Sequence, residues 1–248
     1  MRLGIISDIH ANEEALDAVL KCMGPVDRIV CLGDVVGYGP SPESCISMLR
    51  EAGIDTILGN HELGLLKQLD RSCFSDVAEI SLDWQRDQIS RESLDWIKSL
   101  PKTIEMEEVM LVHGAPPFSQ TDYVSTEFDA GRAMCLTYRR ACLVGHSHIP
   151  AFFVHRDGKP SFELANWKHC QSYTNMPNLF GKNNRILANP GSVGQPRDRS
   201  ALASFAVLDM FRGEFCIHRV EYQVKKTQAK LKRVGLPTEL ADRLARGR

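Results

Sequence analysis

Five apolar runs of strand length, each halting at Asp, Asn or His, constrain this chain more than any other feature. Leu3-Gly4-Ile5-Ile6 leads to Asp8 and His10, and Ile29-Val30-Cys31-Leu32 leads to Gly33-Asp34. Thr56-Ile57-Leu58 leads to Gly59-Asn60-His61-Glu62. Val109-Met110-Leu111-Val112 leads to His113-Gly114, and Ala141-Cys142-Leu143-Val144 to Gly145-His146-Ser147-His148. A glycine adjoins all but the first of these polar positions. In an open α/β sheet the loops at the carboxyl ends of the strands converge on the ligand site. Five such ends therefore imply one shared site. If the first strand continues through His10, its period of two puts Asp8 and His10 on one face. One oxygen and one nitrogen ligand on a common face suit a divalent metal.

Between the runs lie helical patterns. Residues 11–20 carry apolar side chains at helical spacing, with Asn12 or Glu13 in the first turn and Gly24-Pro25 as the stop. Ser41 can cap a helix from Pro42 to Arg50, which Gly53 ends. Strand–helix–strand–helix–strand implies a parallel sheet. Residues 62–98 read as mostly helical, with Leu82, Trp84, Ile89, Leu94, Trp96 and Ile97 facing a core. Lys102–Met106 and Val109–Val112 read as strands, and residues 124–140 hold one more helix. The later half changes character. Phe152–His155 and Ser161–Ala165 alternate around Asp157-Gly158, a hairpin signal. Residues 167–184 are polar and without periodicity, which predicts a long functional loop. Arg185–Ala188, Ala203–Asp209 and Phe215–Tyr222 read as strands, and helices over 223–234 and 238–246 close the chain. Alternation first and hairpins later predict an α/β fold, a four-layer α/β/β/α sandwich of two mixed sheets flanked by helices. Residues 1–248 are expected to form a single domain, with 167–184 as its candidate cap loop.

Composition narrows the function classes. A chain of 248 residues with 43% hydrophobic and 25% charged residues can bury a full core. A net charge of −1 gives no global reason for a polyanion partner, so neither nucleic acid nor a membrane is expected. None of the eight cysteines forms Cys-x-x-Cys, and most sit in apolar runs. They read as small core residues in a reducing compartment. With the first strand starting almost at Met1 and no apolar run of bilayer length, a cytoplasmic location is expected.

Taken together, Asp8-x-His10, Gly33-Asp34-x-x-Gly37, Gly59-Asn60-His61-Glu62, His113 and Gly145-His146-x-His148 resemble the signature of calcineurin-like metallophosphoesterases. Gly33–Pro40 and the later segment Asn189–Asp198 look like the small prokaryotic phosphodiesterase branch. The resemblance implies two divalent ions, Mn, Fe, Zn or Ni by donor type. Asp8, His10, Asp34 and His148 would hold one; Asp34, Asn60, His113 and His146 would hold the other, with Asp34 bridging. Two divalent ions against two carboxylates and a hydroxide leave about one positive charge, which suits an anionic phosphoester. The implied reaction is in-line attack on phosphorus by a metal-bridging hydroxide, with His61 protonating the leaving oxygen or stabilising the transition state. Departures are mild. Ala11 stands where Gly is usual, Ser147 lies inside the Gly-His-x-His, and Glu62 replaces the commoner Asp while keeping a carboxylate able to orient a histidine.

Plainer readings exist for each residue singly: Asp8 as a helix cap, Gly33-Asp34 as a turn, His113 as a core histidine, His146 and His148 as a loop pair. Their coincidence at five strand ends favours the metal. Arg197 has two open readings, a phosphate clamp or a structural ion pair with Asp198 or another acid. His155, His169 and His218 read as surface or packing residues, with His169 also placed to line a cleft. Lys225, Lys226, Lys230, Lys232 and Arg233 read as a solvated helix face. The function expected is phosphodiester hydrolysis, cyclic nucleotides or other small diesters included. Alternatives are a phosphomonoesterase, a dinucleoside-polyphosphate or phosphoprotein phosphatase, and a non-catalytic scaffold of the same fold. The partners expected are a small phosphoester substrate and, at most, further copies of the chain.

Overall fold

The computed structural model describes residues 1–248 except 138, 157–158, 163–171 and 175–183. The chain opens with β1 (Arg2–Ile6), α1 (Glu13–Cys22), β2 (Arg28–Cys31), α2 (Pro42–Glu51) and β3 (Asp55–Thr56). Helices α3 (Asn60–Leu65), α4 (Asp76–Arg86) and α5 (Arg91–Ser99) follow, with a 3-10 turn at Arg71–Cys73. Then come β4 (Thr103–Met106), β5 (Val109–Val112), α6 (Glu127–Cys135), β6 (Ala141–Leu143), β7 (Ala151–Arg156), β8 (Lys159–Phe162) and β9 (Ser172–Thr174). The chain closes with β10 (Arg185–Asn189), β11 (Ala203–Asp209), β12 (Glu214–Val220), α7 (Val224–Arg233) and α8 (Thr238–Arg246).

The strands form two mixed six-stranded sheets, ordered β3-β2-β1-β11-β12-β9 and β4-β5-β6-β10-β7-β8. Both β1–β2 and β5–β6 pair in parallel, while β11 runs antiparallel to β1 and β4 to β5. Side-chain alternation explains the layering. Leu3 and Ile5 of β1, Leu111 of β5 and Leu143 of β6 meet in the core between the sheets. Ile6, Cys31 and Phe205 point the other way, onto α1 and α2. Met110, Cys142 and Phe153 pack beneath α6. This is the α/β/β/α sandwich, and it leaves the carboxyl ends of β1, β2, β5 and β6 side by side.

Several local expectations shift for identifiable reasons. The first strand stops at Ile6, because Asp8, His10 and Ala11 adopt left-handed φ of 53°, 47° and 50°. Asp8 and His10 therefore meet through a loop, not through strand alternation. Ser41 occupies the N-cap of α2 but its hydroxyl makes no cap bond; Lys230 reaches it at 3.4 Å. The helix expected over 124–140 starts at Glu127, where Thr126 and Asp129 form a reciprocal capping box. Of the apolar set expected in 62–98, Leu82 and Ile97 are buried and Trp84, Ile89, Leu94 and Trp96 are half-buried. The expected 167–184 loop contains β9, which pairs with β12 and forms the edge of its sheet; the rest of it, His169 included, lies outside the described residues except Asn184. Cys31, Cys45 and Cys142 are buried as expected, whereas Cys22, Cys73 and Cys135 are exposed. No described helix is long and apolar enough to cross a membrane.

Candidate metal centre

The loops that follow the strands are laced to one another by main-chain hydrogen bonds. Asp8 and His10 donate N–H to the carbonyls of Gly33 (3.0 Å) and Asp34 (2.9 Å), tying the loop after β1 to the loop after β2. Gly145 donates to His113 O (2.7 Å), tying β5 to β6. The segment after β10 joins the two pairs. Val193 and Gly194 donate to Ser7 O and Asp8 O, while the Asn189 amide donates to Gly145 O at 2.6 Å. Asp34, His146 and His148 share the left-handed φ of Asp8 and His10, at 54°, 65° and 59°. Asp and His tolerate this region better than most residues, and such strain concentrates at functional sites.

These loops gather the side chains singled out in the sequence. Ligand-type atoms of Asp8, His10, Asp34 and His148 lie within 4.8 Å of one another, and so do those of Asp34, His113 and His146. Asp34 belongs to both groups. Asn60 joins the second, with its Oδ1 at 3.1 Å from His113 Nε2. All seven residues are buried.

The hydrogen bonds fix what each imidazole can offer. His10, His113 and His148 each turn Nδ1 to a backbone carbonyl, of Val36 (2.9 Å), Leu32 (2.7 Å) and Gln195 (2.7 Å). A carbonyl only accepts, so Nδ1 carries the proton and Nε2 of each neutral ring is a lone pair. His146 is the reverse: Nε2 donates to Thr121 O at 3.0 Å, leaving Nδ1 free. As a result, His10 Nε2 and His148 Nε2 face each other at 3.1 Å with no proton between them. Asp34 Oδ2 sits 3.2 Å from His113 Nε2 and 3.7 Å from His10 Nε2, buried and without a hydrogen-bond donor. Opposed lone pairs in a buried site repel unless a cation lies among them. The residues therefore fit a divalent metal centre.

The electrostatics agree. Burial holds His10 and His148 well below the usual imidazole range and pulls His146 down to about 3, so these rings stay neutral. Burial also pushes the Asp8 carboxyl up to about 7, against the pull of His113. Burial opposes charge on His113 as well, but the Asp34 and Asp8 carboxylates outweigh it and raise its pKa to about 9. Without a metal, His113 thus carries the positive charge that balances the carboxylates; a divalent ion would supply that charge instead and leave its Nε2 as a lone pair.

Glu62 does not orient a histidine. Its oxygens accept N–H bonds from Asp34 (2.8 Å), Val36 (3.1 Å) and Gly59 (2.8 Å), so it clamps the loops that carry Asp34 and Asn60. His61 donates its backbone N–H to Asp34 Oδ1 at 2.9 Å, while its ring packs between His10, Tyr38 and Phe74. Its buried Nδ1 has no partner and lies against Gly37, where a Cβ would approach to 2.0 Å. Only glycine fits there, at a φ of +86°.

His61, Asp34, Asn60, His146 and His148 line one cavity of about 780 Å³. Arg197 stands on its wall, its guanidinium bonded to Gln195 Oε1 (2.9 Å) and near Tyr38 Oη (3.5 Å). The ion pair with Asp198 does not form, because Asp198 pairs with Arg219. His218 stacks on Phe205, and His155 is half-buried in β7, away from the cluster's ligand set. Sequence reasoning missed Tyr123, which stacks on His146 at 4.1 Å, and the carbonyls of Thr121 and Gln195. Backbone acceptors leave no trace in residue type.

Comparison with known proteins is consistent with this geometry. The chain is 35% identical to an uncharacterized protein of Methanocaldococcus jannaschii, over 99% of this chain and 98% of the other. It superposes on a metallophosphoesterase from Sphaerobacter thermophilus with TM-score 0.85 and 34% identity, each chain covered in full. Over 126 residues, 46% of this chain and 44% of the other, it is 31% identical to the symmetrical bis(5'-nucleosyl)-tetraphosphatase of Chromohalobacter salexigens. The model of the calcineurin-like phosphoesterase superfamily domain matches residues 1–213, and the chain belongs to that family.

Proposed function

We propose that this protein hydrolyses phosphodiesters, small diesters such as cyclic nucleotides among them, at a centre of two divalent ions. Asp8, His10, Asp34, Asn60, His113, His146 and His148 would hold the ions, with Asp34 shared. The observation that carries this reading is the 3.1 Å approach of the His10 and His148 lone pairs beside the unpartnered Asp34 Oδ2. When bound, two such ions supply an acidified water and positive charge for the phosphoryl oxygens.

The chain's own residues do the rest. His61 lines the cavity with Nδ1 turned into the protein, so its opposite ring edge faces the substrate. Burial pulls its pKa down to about 4, so at neutral pH the ring is uncharged and donates a hydrogen bond to the leaving oxygen. Arg197 hydrogen-bonds to the uncharged Gln195 and Tyr38 side chains and makes no ion pair among the described residues, which leaves its guanidinium available to a non-bridging phosphate oxygen. The whole chain acts as one cytoplasmic domain in this reading. A second reading, hydrolysis of dinucleoside polyphosphates at the same centre, is favoured by the similarity to the Chromohalobacter enzyme.

The test is elemental analysis of the purified protein, followed by assay against bis- and mono-aryl phosphates with Mn²⁺. Two ions per chain and preferential turnover of the diester are expected. Preference for the monoester overturns the diesterase reading; absence of both metal and turnover overturns the function.

A further inference from the structure

The far wall of the cavity is built by a part of the chain outside every motif that carries the family resemblance. Helix α8 buries Leu240, Ala241 and Leu244 against Leu231 of α7 and against Tyr38. That choice of buried face fixes the direction of the others. Glu239, Asp242, Arg243 and Arg246 follow one another at i, i+3, i+4 and i+7, a single stripe on a helix, and all four line the cavity. Within the stripe the charges are sorted. Glu239 and Arg243 pair with each other at 2.5 Å across one turn. Arg246 and Arg248, further along, line the cavity and make no ion pair among the described residues.

The end of α8 is held in place. Gly247 takes the left-handed conformation at φ 61°, and its carbonyl accepts the Arg199 N–H at 2.9 Å. A Cβ on Gly247 would come within 2.4 Å of Ser200 N. This contact brings the terminus of α8 onto the loop that carries Arg197. Four guanidiniums, of Arg197, Arg243, Arg246 and Arg248, thus line the same cavity as two side-chain carboxylates, of Glu239 and Asp242. Cations in a last helical turn also complement the helix dipole, but that role requires no cavity in front of them. The volume of about 780 Å³ is far more than one phosphoryl group needs and falls in the range that holds drug-sized ligands.

We propose that Arg246 and Arg248 form a distal phosphate subsite, so that the preferred substrates are phosphoesters carrying at least one further phosphoryl group, of the nucleotide-polyphosphate class. The inference rests on the phosphoester reading of the metal centre. Reaction at the centre and recognition at α8 are then separate: the first acts on one phosphorus, the second selects compounds whose chain of phosphates spans the cavity. Guanidinium forks match phosphate oxygens two at a time, which explains arginine, and no lysine, along this wall.

The experiment has a binding arm and a kinetic arm, on the full chain as purified. Calorimetry at fixed ionic strength measures binding of β,γ-methylene ATP to the native protein and to Arg246→Ala/Arg248→Ala. Kinetics compare a dinucleoside tetraphosphate with bis(4-nitrophenyl) phosphate, which has a single phosphorus. The double variant is expected to bind the analogue at least tenfold more weakly and to lose at least tenfold in kcat/KM for the tetraphosphate, chiefly through KM. Its kcat/KM for the aryl diester is expected to stay within twofold. Equal binding by both proteins, or parallel losses on both substrates, overturns the subsite. Arginine-dependent binding in a protein that hydrolyses no phosphoester upholds the subsite and overturns the function proposed for the centre. If the double variant does not fold, Arg246→Gln alone is read in the same way, with threefold weaker binding as the threshold.

Discussion

In the function proposed, His61 is the side chain on which chemistry and metal binding separate. Its backbone N–H holds Asp34 Oδ1 at 2.9 Å, a bond that any residue but proline keeps at this position, while its ring belongs to the cavity. His61→Ala should therefore lower kcat by about 10²–10³-fold, the usual cost of removing one hydrogen-bond donor aimed at developing charge, with divalent-ion content unchanged by elemental analysis. Turnover surviving intact, or metal lost in step with activity, contradicts that assignment. At this scale the sequence was informative because every expected ligand ends an apolar run, and such ends converge in space. Asp8 and His10 nonetheless meet by another route than strand alternation. A strand period of two would bring them to one face, whereas the protein places each of them in the left-handed region of a loop. Glu62 misled for a related reason: its carboxylate is needed, but three backbone N–H groups claim it.

Among the elements, α7 departs most from its sequence pattern. Its lysines suggest a solvated face, yet Lys230 lies between Glu13 and Glu14 at 2.6 Å each and fastens α7 to the start of α1. Glu14 is buried, and the single Thr227 hydroxyl proton is shared between Glu14 Oε2 (3.1 Å) and Oδ1 of Asn12, the N-cap of α1 (3.0 Å). Local periodicity cannot register a helix whose partners stand more than two hundred residues earlier. Lys230→Ala would leave the Glu14 charge short of its closest cation, and with Lys226 remaining nearby at 3.3 Å the expected cost is about 2 kcal/mol. The pH dependence has a definite sign. Burial opposes ionisation of Glu14, but Lys230 outweighs it and holds the carboxyl below its ordinary value of 4.5. The pair therefore contributes in full above pH 4.5 and fades as pH falls through the depressed folded value. Urea unfolding of both proteins between pH 3 and 7 should show a constant difference at the neutral end that narrows on the acid side. A difference that widens on acidification excludes the pair as its source.

For the whole molecule, the seven expected ligands come from both sheets, from Asp8 after β1 to His148 after β6. Each half contributes to the centre through loops that are also joined by main-chain hydrogen bonds and by a few side-chain ones, such as His113 Nδ1 to Leu32 O. In the folded protein alone, this junction holds opposed Nε2 lone pairs, an unpartnered Asp34 oxygen and an Asp8 carboxyl raised to about 7. A divalent ion relieves all three at once, and because the unfolded chain does not bring the ligands together, it binds the native state selectively. Stability must then rise with free metal as RT ln(1 + [L]/Kd), about 2.7 kcal/mol per site at a hundredfold excess over Kd. For a chain of this size each kcal/mol is worth roughly 2–4 °C in Tm, so saturating Mn²⁺ should raise Tm by about 5–10 °C over chelator-treated protein for one site alone. The rise should scale with the logarithm of metal concentration and vanish in Asp34→Ala, which removes the carboxylate common to both groups. Acidification should shrink it too, since protons compete for the same carboxylate and imidazole lone pairs. A Tm indifferent to Mn²⁺ and to chelation at neutral pH would mean that the two sheets do not share a metal, whatever the side chains suggest.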